Sequence, residues 1–473
     1  MAITIEGSEV AKHCTRDSCW VVIHGKVWDV TNFLDEHPGG VGLILKCAGR
    51  NATNSYETVH NPELVGEMLP AECCVGAIKP GDLAEQDLAN EDILGNGQAT
   101  AASSPPLTSL INIGDFEKVA EKCLSAAGWA YYSSGAEGEI SLDDTRRIFN
   151  KISLRPRIMR NVESISTSIN ILGHTSSLPL YISPTGLGRY AHKEAETILS
   201  SVAGDEGIIY MMPTSPSQSH DAIFSARISK DQPLFFQLYS SRDRSKAKAL
   251  VQKVESLGAS AIFVTVDSPV LGRRERDDRV KVAAGEQATQ AGVAKSSATG
   301  LLNPTLIWED LKWLKGVTRL PIVLKGVQTV EDAILAHRHG VQGIVLSNHG
   351  GRSLDTAQAP MLTLLEIRKY APYLLSPTIR QGFQVFIDGG IRRGTDIIKA
   401  LALGASAVGV GRPFLYSLTA EYGKAGARRL VQMLRTELET SMALIGAVEV
   451  TDLAPEMVNS ERAESEVSRR VKL

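Results

Sequence analysis

Eight short apolar runs, each followed by a segment of helical composition, constrain the fold of this chain more than any other feature of its sequence. Strands of a parallel sheet that is covered on both faces read as near-continuous apolar runs. Eight of them alternating with helices over roughly 250 residues is the size and pattern of a (β/α)8 barrel. The predicted strands are residues 180–183, 208–212, 234–238, 262–266, 322–324, 343–346, 385–387 and 407–410.

Helical composition is strongest in five of the intervening segments. A doubly wound open sheet is the alternative architecture for such an alternation of strands and helices. The predicted helices are residues 193–203, 242–257, 330–339, 360–370 and 395–403.

Polar residues at the ends of six of the runs favour the barrel. In a barrel the carboxyl ends of all strands meet at one mouth, whereas in an open sheet they spread along an edge. We therefore expect an α/β chain with a (β/α)8 TIM barrel and a single active site at the barrel mouth. The strand-end residues are Thr185, Gln237, Tyr239, Thr265, Asp267, Lys325, His349 and Asp388.

A connector at residues 80–107 divides the chain in two. It turns acidic and then runs through small and polar residues, a composition that cannot bury enough surface to become ordered. We predict a hinge there, with a small α+β domain at residues 1–79 that opens with a hairpin and a barrel domain at residues 108–455.

Two further segments have an open interpretation. The long connection at residues 281–300 is small, polar and poor in aromatic residues, and it is either a mobile excursion near the barrel mouth or a surface insertion without a role. The charged C-terminal tail, residues 456–473, either braces an oligomer or is disordered.

Length and composition exclude several classes of protein. A chain of 473 residues has room for two or three domains, and it contains no apolar run long enough to span a bilayer. The first residues lack the pattern of a signal peptide or a mitochondrial presequence, so we expect a cytoplasmic protein. The mitochondrial intermembrane space is the alternative if a presequence is missing. The six cysteines lack metal-ligand spacing, so we expect reduced thiols.

Charge is distributed unevenly between the two parts. Residues 1–80 hold 6 Lys+Arg and 10 Asp+Glu, a net charge of -4, which leaves 44 and 43, or +1, for the remainder of a chain of net charge -3. No basic patch suggests a nucleic-acid partner. An acidic first domain suits a basic protein partner.

A histidine precedes a Pro-Gly-Gly corner in the first domain. His37 stands before this corner, and His60 follows 23 residues later (60 − 37). Such a corner lets a flat cofactor approach closely, and two imidazoles on one haem iron leave no site for oxygen. The stretch WVVIHGKVWDVTNFLDEHPGG, with His60 beyond it, closely resembles the cytochrome b5 family over residues 1–79. The resemblance implies a haem b held by His37 and His60.

The stretch Ser-Asn-His-Gly-Gly-Arg at the end of the sixth strand suits a 2-hydroxy acid. The guanidinium of Arg352 can bind a carboxylate bidentately, while the imidazole of His349 can take a proton. Asp267, at another strand end, can orient that imidazole and stabilise its charged form. Lys325 ends an apolar strand, where an unpaired cation is costly, so we expect it to face an anion.

Glycine-rich turns with arginines close the last two strands, and this is how barrels bind a phosphate group. Many phosphorylated ligands bind barrels in this way, so the turns alone do not identify a flavin. The residues in these turns are Asp388, Gly389, Gly390, Arg392, Gly411 and Arg412.

Seven stretches in order are similar to the FMN-dependent 2-hydroxy-acid dehydrogenase and oxidase family over residues 108–450. They are YYSSGA, FFQLY, TVDSP, LGRRE, SNHGGR, DGGIRRG and GRPF. The resemblance implies a base in His349 paired with Asp267, and substrate contacts from Tyr131, Tyr239, Arg274 and Arg352. It also implies FMN contacts from Thr185, Gln237, Thr265, Lys325, Asp388, Gly389, Gly390, Arg392, Gly411 and Arg412.

Together, the two resemblances imply an oxidoreductase of the flavocytochrome b2 family. Such an enzyme takes L-lactate to pyruvate through FMN and passes single electrons through haem b to cytochrome c, and its family members are commonly homotetramers. A glycolate-type oxidase with oxygen as acceptor is one alternative, and a non-catalytic haem carrier with a decayed barrel is another.

The substrate pocket departs from the family pattern at three positions. Gly186 stands where relatives commonly carry alanine, and Pro213 and Ser215 stand where relatives often show serine and a large apolar or aromatic residue. Loss of bulk and gain of a hydroxyl should widen the pocket around the substrate side chain. A dehydrogenase for a bulkier acid such as mandelate is therefore a further alternative.

Overall fold

The computed structural model describes residues 3–37, 41–57, 60, 62–83, 104–283 and 302–469. Most of the predicted hinge at 80–107 and most of the long connection at 281–300 therefore lie outside the described residues. Residues 281–283 end a helix.

The N-terminal domain is a five-stranded sheet with short helices packed against it. The strand order is β1-β5-β4-β3-β2. Strands β3 and β4 pair in an antiparallel hairpin, as predicted, because His24 and Gly25 both adopt positive φ, 50° and 73°. The strands are β1 (Thr4–Ile5), β2 (Cys14–Thr15), β3 (Ser18–Ile23), β4 (Lys26–Asp29) and β5 (Cys74–Ile78). The helices are α1 (Gly7–Val10), α2 (Val41–Cys47), α3 (Thr53–Glu57) and α4 (Leu64–Met68).

Eight parallel strands close into a barrel in the second domain. Its first strand pairs with its last, so the sheet has no edge, and the predicted (β/α)8 barrel is confirmed. Every predicted strand is present, with its ends displaced by at most three residues. The barrel strands are β9 (Leu180–Ile182), β10 (Ile209–Met212), β11 (Leu234–Leu238), β12 (Ala261–Thr265), β13 (Ile322–Val327), β14 (Gly343–Leu346), β15 (Gln384–Asp388) and β16 (Ala407–Val410). Short strands outside the barrel are β6 (Ser153–Leu154), β7 (Ile169–Ile171), β8 (His174–Ser176) and β17 (Val458–Asn459).

Helices surround the barrel, and four of them begin at a residue whose side chain caps the first turn. The side chain of Asp243, for example, accepts hydrogen bonds from the amides of Ser245 and Lys246. The helices before the barrel are α5 (Ile113–Cys123), α6 (Ala126–Ser133) and α7 (Ile140–Arg147). Those of the barrel are α8 (Ala195–Glu206), α9 (His220–Ser225), α10 (Arg244–Ser256), α11 (Glu275–Ala283), α12 (Asp310–Val317), α13 (Val330–Arg338), α14 (Pro360–Tyr370), α15 (Pro377–Arg380), α16 (Gly394–Ala402), α17 (Arg412–Leu418) and α18 (Gly423–Ile445), followed by α19 (Glu461–Glu464).

Aromatic side chains fill the interior of the barrel. The rings of Phe235 and Phe263 stack at 5.1 Å, and Tyr181 and Phe386 pack against Phe263. All four side chains are buried. The interior of the barrel is therefore a packed core and not a pore.

The described part of the C-terminal tail packs on the barrel domain. Strand β17 pairs with β6, and Val467 is buried, while the hydroxyl of Tyr370 donates to the carbonyl of Ser468 at 2.7 Å. The prediction of a disordered tail is wrong for these residues, because their apolar side chains find places in the core of the same chain. Among the described residues, no helix has the length and apolar character needed to cross a membrane.

Candidate active site

The carboxyl ends of the barrel strands line a cavity of about 410 Å³ that extends to the N-terminal domain. The cavity brings together nearly every residue that the sequence predicts for the flavin and the substrate. Only Asp267 is absent from its wall, because it lies behind His349. The predicted residues that line it are Tyr131, Thr185, Gln237, Tyr239, Thr265, Arg274, Lys325, His349, Arg352, Asp388, Gly389, Gly390, Arg392, Gly411, Arg412, His37 and His60.

The imidazole of His349 is held at both of its nitrogens. Its Nδ1 lies 2.9 Å from Oδ1 of Asp267, and its Nε2 lies 3.3 Å from the hydroxyl of Tyr239. Burial opposes ionisation of Asp267, but His349 and Lys325 outweigh it and lower the pKa of this carboxyl below its usual range. An ionised Asp267 requires a proton on Nδ1, so that Nε2 presents its lone pair to the cavity.

Backbone strain accompanies this placement. His349 has φ +57°, a left-handed conformation that costs a non-glycine residue about 1–3 kcal/mol. Gly350 and Gly351 continue in the same region, and a Cβ at Gly351 would lie 2.5 Å from the amide nitrogen of Leu142. The turn therefore needs its glycines to point the imidazole at the cavity.

Two guanidinium groups flank the ring of Tyr131. The Cζ atoms of Arg352 and Arg274 lie 5.0 Å and 5.1 Å from its centroid. Nη1 of Arg352 donates to three main-chain carbonyls, those of Tyr131, Tyr132 and Ser134, and its other N–H groups have no partner among the described residues. Burial and the charge of Arg274 lower the pKa of Arg352 to about 10, so it stays protonated at neutral pH. This excess of positive charge suits a carboxylate.

Lys325 is buried beside an acidic residue. Its Nζ lies 3.2 Å from Oδ2 of Asp388 and 3.2 Å from the hydroxyl of Ser347. Burial alone would lower the pKa of Lys325, but the charges of Asp388 and Asp267 raise it. The lysine is therefore a permanent cation in the cavity wall.

The glycine-rich turns after β15 and β16 form a second cationic region. Burial, with the charges of Arg392 and Arg146, lowers the pKa of Arg412 to about 9. Nη1 of Arg412 and the hydroxyl of Thr185 are buried without a hydrogen-bond partner among the described residues. A Cβ at Gly390 would lie 2.0 Å from the carbonyl oxygen of Thr145, so only glycine fits there. These orphaned donors fit the phosphate group of FMN.

A side-chain amide and two hydroxyl groups complete the flavin end of the cavity. Nε2 of Gln237 donates to the hydroxyl of Thr265 at 3.0 Å, and its Oε1 accepts from the amide of Thr214. Burial and the charge of Asp267 raise the pKa of Tyr239, so its hydroxyl keeps its proton. These groups offer a fixed set of donors and acceptors to a planar polar ring.

His37 and His60 face each other across the part of the cavity that lies in the N-terminal domain. Their ring centroids are 5.8 Å apart, with the ring planes at 69°. Burial, with the charges of His37 and Arg189, lowers the pKa of His60 to about 3, so its imidazole is neutral, as a metal ligand must be. These features fit a haem. The apolar side chains around the pair include Val21, Ile23, Val30, Phe33, Leu64 and Met68.

Three polar residues of the site were not predicted. The hydroxyl of Ser268 lies 3.1 Å from Nδ1 of His349. Ser268 directly follows Asp267 in the sequence, and this adjacency could have identified it as a residue of the site. Glu117 pairs with Arg146 at 2.8 Å and with Arg392 at 3.3 Å. Both Glu117 and Arg146 lie on helices before the barrel, where strand-end reasoning does not reach.

The three unusual pocket residues lie together in the cavity wall. Gly186, Pro213 and Ser215 all line it, and a Cβ at Gly186 would meet only the carbonyl oxygen of Ser215, at 3.4 Å. That is ordinary van der Waals contact, so an alanine would fit at this position. The backbone therefore does not require glycine at position 186, and the absence of a side chain there leaves that part of the cavity open.

Two family descriptions match the chain. "FMN-dependent dehydrogenase" matches residues 120–460, and "Cytochrome b5-like Heme/Steroid binding domain" matches residues 6–79. Over 459 residues the chain is 38% identical to the L-lactate dehydrogenase (cytochrome) of Wickerhamomyces anomalus, an alignment that covers 95% of this chain and 79% of the relative. The enzyme of the same name from Saccharomyces cerevisiae is 39% identical over 474 residues, 96% of this chain and 79% of the relative.

Relatives and solved structures that match the barrel domain include oxidases. The glycolate oxidase of Spinacia oleracea is 38% identical over 73% of this chain and 94% of the relative. A structure of a mutant flavocytochrome b2 with pyruvate bound superposes with a TM-score of 0.73 at 37% identity, covering 82% of this chain and 95% of the other. A mandelate oxidase structure reaches a TM-score of 0.65 at 34% identity, covering 74% and 98%.

Proposed function

The chain belongs to the FMN-dependent dehydrogenase family and carries a cytochrome b5-like domain before its barrel. From this premise we propose a function for the protein and a role for each group of residues in the cavity. The protein is an oxidoreductase that oxidises an L-2-hydroxy acid, L-lactate to pyruvate, and delivers the electrons through FMN and haem b to a cytochrome. The observation that carries this function is one cavity that joins the His349 and Arg352 pair to the facing histidines His37 and His60.

Arg352 binds the substrate carboxylate in our assignment. Three carbonyls hold Nη1, which orients the guanidinium, and the remaining N–H groups are available for a bidentate bond. Arg274 adds a second positive charge on the ring of Tyr131, and Tyr239 offers its hydroxyl to the hydroxyl of the substrate. These contacts orient the α-carbon of the substrate before any bond breaks.

His349 is the base. Its Nε2 takes either the hydroxyl proton of the substrate or the proton on the α-carbon, and the structure is compatible with both routes. Asp267 then stabilises the imidazolium through Nδ1, as buried carboxylates do in other catalytic pairs. Ser268 limits rotation of the ring from the same side.

We assign the cofactors to the two regions of the cavity. Arg392, Arg412 and the glycine turns would hold the phosphate of FMN, and Lys325, Gln237 and Thr265 would contact its ring system. When bound, FMN supplies a two-electron acceptor and haem a one-electron carrier. His37 and His60 would hold the haem iron, and Phe33 and Met68 would exclude water from it.

An anaerobic spectrum tests the proposed function. Mixing the holoenzyme with L-lactate without oxygen should bleach the flavin absorption and then produce the bands of reduced haem. In air, two molecules of cytochrome c should be reduced for each pyruvate formed, because the oxidation releases two electrons and each cytochrome accepts one. Abundant peroxide with little reduced cytochrome c would support the oxidase alternative instead.

The open pocket predicts tolerance of longer side chains. We expect 2-hydroxybutyrate and mandelate to be turned over, and Ser215→Leu to lower the kcat/KM of mandelate relative to lactate by about 10- to 100-fold. Gly186→Ala should act in the same direction with a smaller effect. Steady-state kinetics on lactate, glycolate, 2-hydroxybutyrate and mandelate measure the ratios of kcat/KM.

The control for the pocket variants is Ser229→Leu, which places the same side chain on the exposed surface. It should leave all the ratios unchanged. A wild-type enzyme with a strict preference for glycolate would contradict the widened pocket.

Domain boundaries, assembly and compartment stay predictions. We propose a haem domain at residues 1–79 and a barrel domain at residues 108–455. The homotetramer is supported by family resemblance, although the described tail packs against its own chain. The acidic charge of the first domain supports a basic acceptor such as cytochrome c.

A further inference from the structure

Arg189 connects the barrel domain to the main chain around a predicted haem ligand. It lies in the 3-10 turn Gly188–Tyr190, after β9. Its Nη1 donates to the carbonyl of Glu57 and, at 2.9 Å, to the carbonyl of His60. We call these two bonds the docking contact.

The docking contact joins a charged donor to two main-chain carbonyls. A charged donor forms a stronger hydrogen bond than a neutral one, and the planar guanidinium presents its N–H groups in a fixed geometry. Arg189 therefore holds the main chain at Glu57 and at His60 with one side chain.

The turn that carries Arg189 is rigid before the two domains meet. The carbonyl of Leu187, which has φ +55°, accepts from the hydroxyl of Tyr132 at 2.6 Å. The amide of Gly188 donates to the buried carboxylate of Glu196, and the amide of Arg189 donates to the hydroxyl of Ser217 at 3.2 Å. Little conformational entropy is then lost when the guanidinium engages its carbonyls.

The same turn also borders the cavity. Leu187 and Tyr190 line the cavity, and the ring of Tyr190 packs 6.1 Å from that of Tyr131. One short segment thus contacts the substrate-binding tyrosine on one side and the main chain of the haem ligand on the other.

Other bonds join the domains at residues that follow His60 in the sequence, including one of 3.6 Å from the hydroxyl of Ser215 to the sulfur of Met68. Nζ of Lys246 donates to the carbonyl of Leu69 at 2.6 Å, and Lys253 pairs with Glu63 at 3.1 Å. Glu63 is largely exposed, so that ion pair contributes little. Among the described residues, Arg189 is the basic side chain of the barrel that binds the main chain of a predicted ligand.

We propose that Arg189 is a positioning residue that keeps the haem domain docked over the barrel mouth, so that haem reduction follows flavin reduction without delay. The inference rests on the proposed function, because it assigns a role within the same electron route. Haem reduction requires the docked arrangement, and its rate falls with the fraction of molecules that adopt it.

Stopped-flow mixing of the anaerobic holoenzyme with L-lactate tests the proposal, with flavin bleaching and haem reduction followed separately. Arg189→Ala should leave flavin bleaching at the wild-type rate and slow haem reduction about tenfold, the order of effect expected for a lost charged hydrogen bond. Arg189→Lys, which keeps the charge, should restore part of the rate. Unchanged haem reduction in Arg189→Ala would overturn the proposal.

Amide hydrogen exchange on the same holoenzymes gives a readout that needs no substrate. Exchange in residues 57–69 should accelerate about tenfold in Arg189→Ala and stay at the wild-type rate in Lys248→Ala, which removes an exposed lysine from α10. Equal exchange in wild type and Arg189→Ala would overturn the docking contact. If L-lactate does not bleach the flavin of the wild-type enzyme, the proposed function is contradicted instead. The exchange result would still decide the role of Arg189.

Discussion

Replacement of His349 with glutamine should lower the turnover of the hydroxy acid by about 10³-fold, within the range that general acid–base catalysis contributes. Glutamine preserves the approximate size of the side chain and a hydrogen bond to Asp267, but it has no nitrogen that accepts a proton near neutral pH. Steady-state turnover with a saturating one-electron acceptor measures the loss. Flavin and haem absorption of the purified variant should match those of the wild type, because neither predicted cofactor region depends on the imidazole.

His339→Gln is the matched control for this substitution. His339 stacks on Trp308 with ring centroids 5.1 Å apart and does not line the cavity. It should retain wild-type turnover. Unchanged turnover in His349→Gln would remove the base from the mechanism and favour the alternative of a barrel without catalytic function.

Lys325→Met should destabilise the chain by about 3–5 kcal/mol, because it leaves a buried carboxylate without its cation. Asp388 Oδ2 lies 3.2 Å from Nζ of Lys325, and Asp267 lies close enough for its charge to raise the pKa of the lysine. We also expect weaker FMN retention, since the cavity loses a permanent positive charge. Chemical unfolding and the flavin content after gel filtration measure the two effects.

The comparison variant is Lys312→Met, an exposed lysine on α12 that should change stability little. The double variant Lys325→Met with Asp388→Asn should recover part of the lost stability, because the uncompensated charge is then also removed. If the single variant unfolds like the wild type, the pair does not act as a buried ion pair.

The same pair predicts how stability depends on pH. The pKa of Lys325 is raised in the folded chain, so its contribution is fully present below the unfolded value of about 10.4 and is lost as the pH rises through the folded value. The pKa of Asp267 is lowered, so its contribution is lost as the pH falls through the folded value. The stability difference between wild type and Lys325→Met should therefore stay constant at neutral pH and shrink in alkali.

The barrel could be predicted because its strands are buried on both faces. Burial of that kind forces runs such as residues 234–238 and 407–410 to be almost wholly apolar, and the polar residues that end six of the eight runs then identify the mouth. His349, Lys325 and Asp388 were found in this way, and the structure places all three in one cavity wall.

Contacts made by helices outside the repeat could not be predicted in this way. Glu117 reaches Arg392, in the glycine-rich turn after β15, from α5, and its helix carries no pattern that distinguishes this glutamate from exposed ones. Arg189 lies in a turn whose partner is 129 residues away in sequence. Such pairings depend on how two units meet, and a single sequence contains no local signal for that.

The tail was open to two interpretations, an oligomer brace and a disordered segment. In its described part, Ala463 and Val467 are buried because the few apolar residues face the barrel domain while the charged ones face water. An apolar residue every few positions is enough to hold a short segment when a core surface is already present.

The shared cavity has a consequence for the origin of such two-part chains. One cavity is lined by Phe33 and Met68 from the N-terminal domain and by Leu187 and Leu271 from the barrel. Each domain therefore covers part of the apolar surface of the other. A barrel separated from the N-terminal domain, by proteolysis or by splitting of the gene, would expose that apolar surface to solvent and tend to aggregate. Either domain would therefore need polar substitutions at the edge of the cavity to be stable alone, and this makes the fusion harder to lose than to gain.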